Sequence, residues 1–188
     1  STSYVVFGKA SGFEASLHLS DLDGSNGFRL NGDDVGTSVS NAGDVNGDGF
    51  DDVIIGGYTS YVVFGREFGF GAEVNLSTLD GTNGFRLDGK DESSNQSGIS
   101  VSAAGDVNGD GFADVLVGAP LYNNGEITEG AAFVYFGGAG VFNTTPDAQL
   151  ESNQVNAFLG SSVAGAGDVN GDGFADLIVG AESFDSGE

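Results

Sequence analysis

Oxygen-bearing side chains recur at fixed spacing in three short stretches of this chain. The first stretch, residues 43–57, reads GDVNGDGFDDVIIGG, and it returns twice as a near copy, each time 62 residues further along. In each copy a loop rich in aspartate, asparagine and glycine is followed by a short apolar run. An internal period of this size indicates a repeat architecture.

Each loop carries Asp, Asn, Asp and Asp at positions 1, 3, 5 and 9, with Phe at position 7. Such a loop alone would also fit an ordinary Asn-Gly or Asp-Gly turn, but three near-identical copies favour a metal site. Oxygen ligands at this alternation suit Ca²⁺, and the backbone carbonyl at position 7 would add a ligand. The predicted ligands of three Ca²⁺ sites are Asp44, Asn46, Asp48, Phe50 and Asp52; Asp106, Asn108, Asp110, Phe112 and Asp114; and Asp168, Asn170, Asp172, Phe174 and Asp176.

The loops begin like an EF-hand but end differently. Position 12, where an EF-hand has a glutamate, is Ile55, Val117 or Val179. These residues lie in β-branched runs that are typical of buried strands, so the carboxylate at position 9 must close the site. A dockerin is excluded because its loops also end in a helix and its repeats are much shorter.

Two further motifs flank the loops at matching places in the repeats. A Gly-Ala-Pro element is complete at residues 118–120 and partial at 56–57 and 180–181. Phe-Gly pairs recur at Phe7-Gly8, Phe64-Gly65 and Phe136-Gly137. The order and spacing of these motifs resemble the FG-GAP repeat of integrin α-subunit heads, over essentially the whole chain. The resemblance implies an all-β fold of β-propeller blades, with Ca²⁺ in the loop between the first two strands of a blade.

The pattern predicts one propeller segment spanning residues 1–188, with three four-stranded repeats at approximately 4–57, 61–119 and 131–181. Small-residue strands precede the loops and suit the crowded inner edge of a blade. The third repeat lacks its outer two strands at the C-terminus. Matching strands occur at the N-terminus, so we expect N-terminal strands, of this or a second copy, to complete the third blade.

A ring of three blades is too small, since propellers typically have four to eight. Two alternatives remain: the chain is a fragment of a longer propeller, or two copies exchange ends to form a six-bladed ring. Exposed strand edges favour association, so a homo-oligomer is expected.

Composition narrows the classes of partner and location. The formal net charge is −23, with only five Lys plus Arg, so nucleic acid and anionic membranes are not expected partners. No apolar stretch is long enough to span a membrane, and the chain contains no cysteine. The lack of an initiator Met or signal peptide suggests a mature or excised piece. Acidity and calcium loops favour an extracellular or cell-surface setting.

The first functional hypothesis is a calcium-stabilised propeller module for extracellular binding or adhesion, with a protein or glycan ligand and a structural metal. An alternative is a structural repeat that polymerises into a surface layer or matrix. A calcium-dependent hydrolase domain is the least favoured, because no nucleophile motif is present and we expect no catalytic residues.

A few other residues have side chains that could take part in catalysis or ligand binding. The acidic pairs Asp33-Asp34 and Asp91-Glu92 resemble a glycosidase dyad, but adjacent residues in a strand face opposite sides. His18, the one histidine, is expected to be exposed. Arg29 and Arg86 occupy twin positions, and we expect exposed residues beside acidic neighbours rather than ligand contacts.

Overall fold

The computed structural model describes residues 1–87, 98–140 and 143–185 of this chain. Two short 3₁₀ helices occupy Leu19–Asp21 and Leu76–Thr78. The strands are β1 (Thr2–Val6), β2 (Gly27–Asn31), β3 (Val35–Gly43), β4 (Asp52–Gly57), β5 (Ser60–Val63), β6 (Glu73–Asn75), β7 (Gly84–Leu87), β8 (Ser100–Gly105), β9 (Asp114–Ala119), β10 (Ala131–Tyr135), β11 (Ala148–Glu151), β12 (Leu159–Gly167) and β13 (Asp176–Ala181).

The strands form blade-like antiparallel sheets in chain order. One four-stranded sheet has the order β3-β4-β5-β7, and the next has β8-β9-β10-β11. The pair β12-β13 forms a two-stranded sheet that corresponds to the first half of a third blade. The prediction of an all-β fold made of propeller blades is therefore confirmed. Strands β1 and β2 pair with each other beside the first blade, and they do not pair with β13 in the described residues.

The strands that follow the first two loops, β4 and β9, are buried on both faces, which explains their continuous apolar runs. In β4 the neighbouring side chains of Ile54 and Ile55 enter two different hydrophobic clusters, one on each face of the sheet. The first blade packs on the second through Ile54, and on the N-terminal strands through Ile55. A third cluster joins the second blade to β12 and β13. The hydrophobic core thus lies between blades.

Small residues allow the inner strands of adjacent blades to approach closely. β3 contacts β8, and β8 contacts β12. A Cβ atom on Gly118 would lie 2.1 Å from the carbonyl oxygen of Gly160 in the next blade, and the same holds for Gly56 against Gly98 at 2.2 Å. The glycine of the Gly-Ala-Pro element is therefore a packing position between blades.

One strand was not predicted. The three-residue strand β6 pairs in parallel with β2, and the loop before it places Phe70 in a stack on Phe28, with ring centroids 4.3 Å apart. This contact ties the N-terminal strands to the first blade. In the described residues, no helix is both long and apolar enough to cross a bilayer.

Candidate metal centre

The first aspartate of each loop organises the backbone around its own carboxylate. In the loop between β3 and β4, Oδ1 of Asp44 accepts hydrogen bonds from the N–H of Gly47 at 2.7 Å and of Asp48 at 3.1 Å. Its Oδ2 accepts the N–H of Gly49 at 2.9 Å. Gly47 and Gly49 both have positive φ angles, of 75° and 90°, which glycine tolerates best. The loop is therefore wrapped about the carboxylate at position 1.

The side chains at positions 3 and 5 support each other at the exposed side of the loop. Oδ1 of Asn46 accepts the N–H of Asp48 at 2.9 Å, while its Nδ2 donates to Oδ2 of Asp48 at 3.0 Å. Oδ1 of Asp48 accepts the N–H of Phe50 at 2.9 Å. These bonds keep an amide and a carboxylate next to the carboxylate of Asp44.

The aspartate at position 9 joins the loop to the rest of the blade. Asp52 is only 1% exposed. Its Oδ2 accepts the N–H of Val45 at 3.0 Å, and its Oδ1 accepts the N–H of Gly65 at 2.7 Å. Gly65 belongs to the Phe-Gly pair that follows β5, so this motif supplies a donor to the loop carboxylate.

The same arrangement is repeated in the other loops, with one difference. Asp114 accepts the N–H of Val107 and of Gly137, both at 2.8 Å. Asp176 accepts the N–H of Val169 at 2.7 Å, but the described residues record no Phe-Gly donor to its other oxygen. The third loop therefore lacks one contact that the first two make.

Burial and neighbouring charge both act on the carboxylate at position 9. The pKa of Asp52 is raised to about 6, mainly by burial and also by the charges of Asp48 and Asp44, against the lowering effect of the two backbone hydrogen bonds. The pKa of Asp114 is raised in the same way, mainly by burial and also by the charges of Asp110 and Asp106. A bound cation would relieve this repulsion.

The donor set of each loop fits a hard cation. Each loop sequence contains three aspartates and an asparagine at positions 1, 3, 5 and 9, and oxygen ligands of this kind, with a backbone carbonyl at position 7, are those that Ca²⁺ prefers. Within residues 1–87, 98–140 and 143–185, the structure shows no group of three or more His, Asp or Glu side chains close enough together to hold a metal ion. The ligand assignment therefore stays a prediction based on donor chemistry.

A family model for the FG-GAP repeat matches residues 35–69, 97–135 and 159–188. Each match contains one of the three loops and the β-hairpin that carries it. The chain belongs to the FG-GAP repeat family. The resemblance predicted from the Phe-Gly and Gly-Ala-Pro motifs is thereby confirmed.

Integrin α subunits are similar to this FG-GAP chain. Integrin alpha-5 of Xenopus laevis is 35% identical over 160 residues, which is 80% of this chain and 15% of that protein. Integrin alpha-11 of Homo sapiens is 34% identical over 148 residues, 73% of this chain and 12% of that protein. Integrin alpha pat-2 of Caenorhabditis briggsae is 37% identical over 154 residues, which is 73% of this chain and 12% of that protein. The chain spans only 12–15% of the length of these curated relatives.

Sequence reasoning missed the backbone groups that hold the position-9 aspartates. The Phe-Gly donor lies 13 residues after Asp52 but 23 residues after Asp114, because the second blade has a longer connection. The recurrence of the Phe-Gly pair is the available signal, but as a motif it indicates the repeat family and not a hydrogen bond to the loop.

The two arginines considered as ligand contacts lie on strands, Arg29 on β2 and Arg86 on β7. Arg29 makes an ion pair with Glu73, whose carboxylate accepts from its Nη2 at 2.8 Å and from its Nε at 3.1 Å. This is the expected pairing with an acidic neighbour. Arg86 is exposed on β7.

Among the described residues, the candidates for catalysis are exposed and lie in separate parts of the chain. His18 is exposed and directly precedes the first 3₁₀ helix, as expected. Asp33 and Asp34 are exposed in the turn between β2 and β3. Asp91 and Glu92 lie outside the described residues.

Proposed function

We propose that this chain is a calcium-stabilised β-propeller segment that serves extracellular binding or adhesion. The supporting observation is that three loops with one ligand pattern and one hydrogen-bond pattern lie on three successive FG-GAP hairpins. Three Ca²⁺ ions would change the formal net charge from −23 to about −17. The metal is structural in this proposal, because it would neutralise carboxylates that the fold holds together.

The loops lie side by side, so that a cation in one loop would also stiffen the next. The N–H of Ala113 in the second loop donates to the carbonyl of Asp44 in the first at 3.1 Å. The N–H of Ala175 in the third loop donates to the carbonyl of Asp106 in the second at 2.9 Å. Calcium would therefore stabilise a continuous band of loops along one edge of the blades.

The adhesion role rests on the similarity to integrin α subunits together with the charge of this chain. A protein or glycan ligand at the cell surface or in the extracellular space is consistent with millimolar calcium, which is the range in which extracellular modules bind this ion. The strongly acidic surface disfavours nucleic acid as a partner. No catalytic role is proposed.

Calcium titration provides the first test. We expect three ions to bind per chain, with dissociation constants of about 10⁻⁴ to 10⁻³ M, and the melting temperature to rise with calcium concentration. Isothermal titration calorimetry would count the ions, and circular dichroism would follow melting with calcium and with a chelator. A melting temperature that is the same in both conditions would contradict a structural calcium role.

The adhesion role is tested separately. Arrays of immobilised extracellular-matrix proteins and of glycans are probed with the labelled chain, in millimolar calcium and in chelator. Saturable binding that requires calcium is expected for at least one ligand class. If no array member is bound above the level of an unrelated acidic protein while the chain is folded and loaded with calcium, the adhesion role is wrong and the calcium role stands.

A further inference from the structure

The position-9 aspartates of the first two loops are joined by a short series of hydrogen bonds. In the first loop, Oδ2 of Asp52 accepts the N–H of Val45 at 3.0 Å. The carbonyl oxygen of Val45 accepts the N–H of Gly138 at 2.9 Å. The residue before it, Gly137, donates its N–H to Oδ1 of Asp114 in the second loop at 2.8 Å. A displacement of one aspartate is therefore passed to the other through two short backbone segments.

The space around this series of hydrogen bonds is closed. Val45 is fully buried. A Cβ atom on Gly137 would lie 2.3 Å from the carbonyl oxygen of Ala113 and 2.9 Å from that of Val45. Interiors packed this closely transmit strain, because there is no free volume in which a shift can be absorbed. The segments that join the two loops therefore cannot adjust independently of them.

A second connection runs from positions 7 and 8 of the second loop to the first loop. The ring of Phe112, at position 7, covers Gly47, so that a Cβ atom on this glycine would lie 2.5 Å from the ring. The N–H of Ala113, at position 8, donates to the carbonyl of Asp44 at 3.1 Å. A Cβ atom on Gly43 would lie 2.6 Å from that of Ala113. Positions 7 and 8 of one loop thus hold the first turn of the loop before it.

The third loop holds the second in the same way. The ring of Phe174 covers Gly109, with 2.5 Å between the ring and a Cβ atom on this glycine. The N–H of Ala175 donates to the carbonyl of Asp106 at 2.9 Å. Because both the ring contact and the hydrogen bond recur at the same loop positions, the connection is a property of the repeat.

The residue at position 7 belongs to two loops at once. The backbone carbonyl of Phe112 is a predicted ligand of the ion in its own loop, while its ring lies on Gly47 of the loop before. An ion that fixes this carbonyl also restricts the ring and the N–H of Ala113, because only a few bonds separate them. The turn from Asp44 to Gly47 is then held in its hydrogen-bonded form before an ion enters the first loop.

This relation favours the second ion through conformational entropy. A loop that becomes ordered on binding loses backbone freedom, which lowers its affinity for the ion. When the neighbouring loop has already ordered part of it, that part of the cost is absent, and binding is tighter.

Charge acts in the opposite direction. The three ligand aspartates of a loop carry a formal charge of −3, and one bound calcium would leave −1, so a loaded loop attracts the next ion less strongly. Dissolved salt screens this effect over about 8 Å at physiological ionic strength. Salt does not screen the backbone hydrogen bonds and the ring contacts between loops. The two effects can therefore be separated by their dependence on salt.

We propose that calcium binds with positive cooperativity to neighbouring loops, and that positions 7 and 8 of the following loop are the coupling element. This inference rests on the proposed calcium role. Coupling between sites typically changes affinity by about five-fold or more, and it is reciprocal for the two sites. The band of loops would then fill over a narrower range of calcium concentration than independent sites, so that the segment responds to calcium as one unit.

Chains with two working loops isolate each connection. Asp168→Asn with Asp172→Asn disables the third loop and leaves the connection between the first and second. Asp44→Asn with Asp48→Asn disables the first loop and leaves the connection between the second and third. Calorimetric titration of each chain gives two stepwise binding constants. We expect the second ion to bind about five-fold or more tightly than independent sites would allow.

Two alanine substitutions then serve as controls for each other. Phe112→Ala and Phe174→Ala each remove a ring and keep the backbone carbonyl. Phe112→Ala should lower the cooperativity of the first and second loops and leave that of the second and third unchanged, and Phe174→Ala should do the reverse. Damage to the second loop itself would instead lower affinity in both chains. Neither ring is fully buried, and circular dichroism checks that each variant is folded.

Amide hydrogen exchange provides a measurement that does not depend on fitted binding constants. In the chain whose first loop is disabled, calcium in the second loop should slow exchange at Val45 and Gly47, although no ion binds beside them. The control is the amide of Asn156, which donates to the carbonyl of Ile127 outside the calcium loops and should not change.

The outcomes separate this proposal from the calcium role. Calcium that binds with the constants of independent sites, and without slower exchange in the first loop, would overturn the coupling and leave the calcium role intact. Weaker binding of the second ion at about 1 M salt, where charge is screened within about 3 Å, would also overturn it. Cooperativity that neither alanine variant lowers would overturn the coupling element. A chain that binds no calcium would contradict the calcium role and the coupling together.

Discussion

Replacing Gly118 by alanine is expected to lower the free energy of unfolding by about 3 kcal/mol or more. The added Cβ would lie 2.1 Å from the backbone oxygen of Gly160, far inside van der Waals contact. That oxygen cannot move easily, because Gly160 itself lies against the backbone of Ala131 in the second blade. At about 2–4 °C per kcal/mol for a chain of this length, the melting temperature should fall by roughly 10 °C.

Gly138→Ala is the matched control. Its Cβ would meet nothing within 4 Å, and its φ angle is not in the left-handed region, so we expect a change within about 0.5 kcal/mol. Thermal melting followed by circular dichroism measures both variants. A melting temperature for Gly118→Ala that equals that of the control would show that adjacent blades are not packed as described.

Gly180→Ala uses the same position in the third repeat. Because no atom lies within 3.5 Å of the added Cβ, this variant should melt like the wild type. A fall as large as that expected for Gly118→Ala would show that close packing of the glycine is not the cause of the loss of stability.

Much of the fold could be predicted because each repeat combines two local signals. Apolar β-branched runs such as Val53-Ile54-Ile55 indicate strands buried on both faces, and an Asp-Gly-rich loop directly before them predicts a tight hairpin. Both signals depend only on residues that are neighbours in sequence. The hairpins that they predict are present in the structure as the strand pairs β3-β4, β8-β9 and β12-β13.

The parts that were missed depend on contacts distant in sequence. The strand Glu73–Asn75 has only three residues, and its pairing partner lies in Gly27–Asn31, more than forty positions earlier. Parallel pairing of so short a segment leaves no periodic pattern to detect. The stack of Phe28 on Phe70 is equally non-local.

For the site, the identity of the loop residues was predictable but their roles were not. Position 9 was assigned only as a metal ligand, yet Asp52 and Asp114 are also buried acceptors for two backbone N–H groups each. One of those donors comes from a strand whose distance along the chain differs between repeats. Regular spacing cannot reveal a partner whose spacing is irregular.

Changing Asp106, Asp110 and Asp114 together to asparagine is expected to remove the calcium response of the second loop. Binding to the folded state stabilises by about 1.4 kcal/mol when free calcium is ten times the dissociation constant, and by about 2.7 kcal/mol at one hundred times. The calcium-dependent gain in the free energy of unfolding should therefore fall by about this amount, since an amide offers one oxygen and no charge.

The same variant should also be less stable without calcium. Asp114 accepts two backbone hydrogen bonds through two oxygens, and an asparagine has only one oxygen. One buried N–H group would lose its acceptor, at a cost of about 1–3 kcal/mol. This loss is present with or without calcium, so only the difference between melting in calcium and melting in chelator reports on the metal.

The control variant removes the same number of negative charges, but from residues outside the loops. Glu14, Glu67 and Glu126 are exposed, and their replacement together by glutamine also removes three negative charges. If calcium acted only by screening the net charge of −23, both triple variants would lose the same part of their calcium response. We expect the glutamine variant to keep the full response. If the loop variant also kept the full calcium response, residues 106–114 would not bind calcium. The backbone hydrogen bonds alone would then explain why the three loops share one geometry.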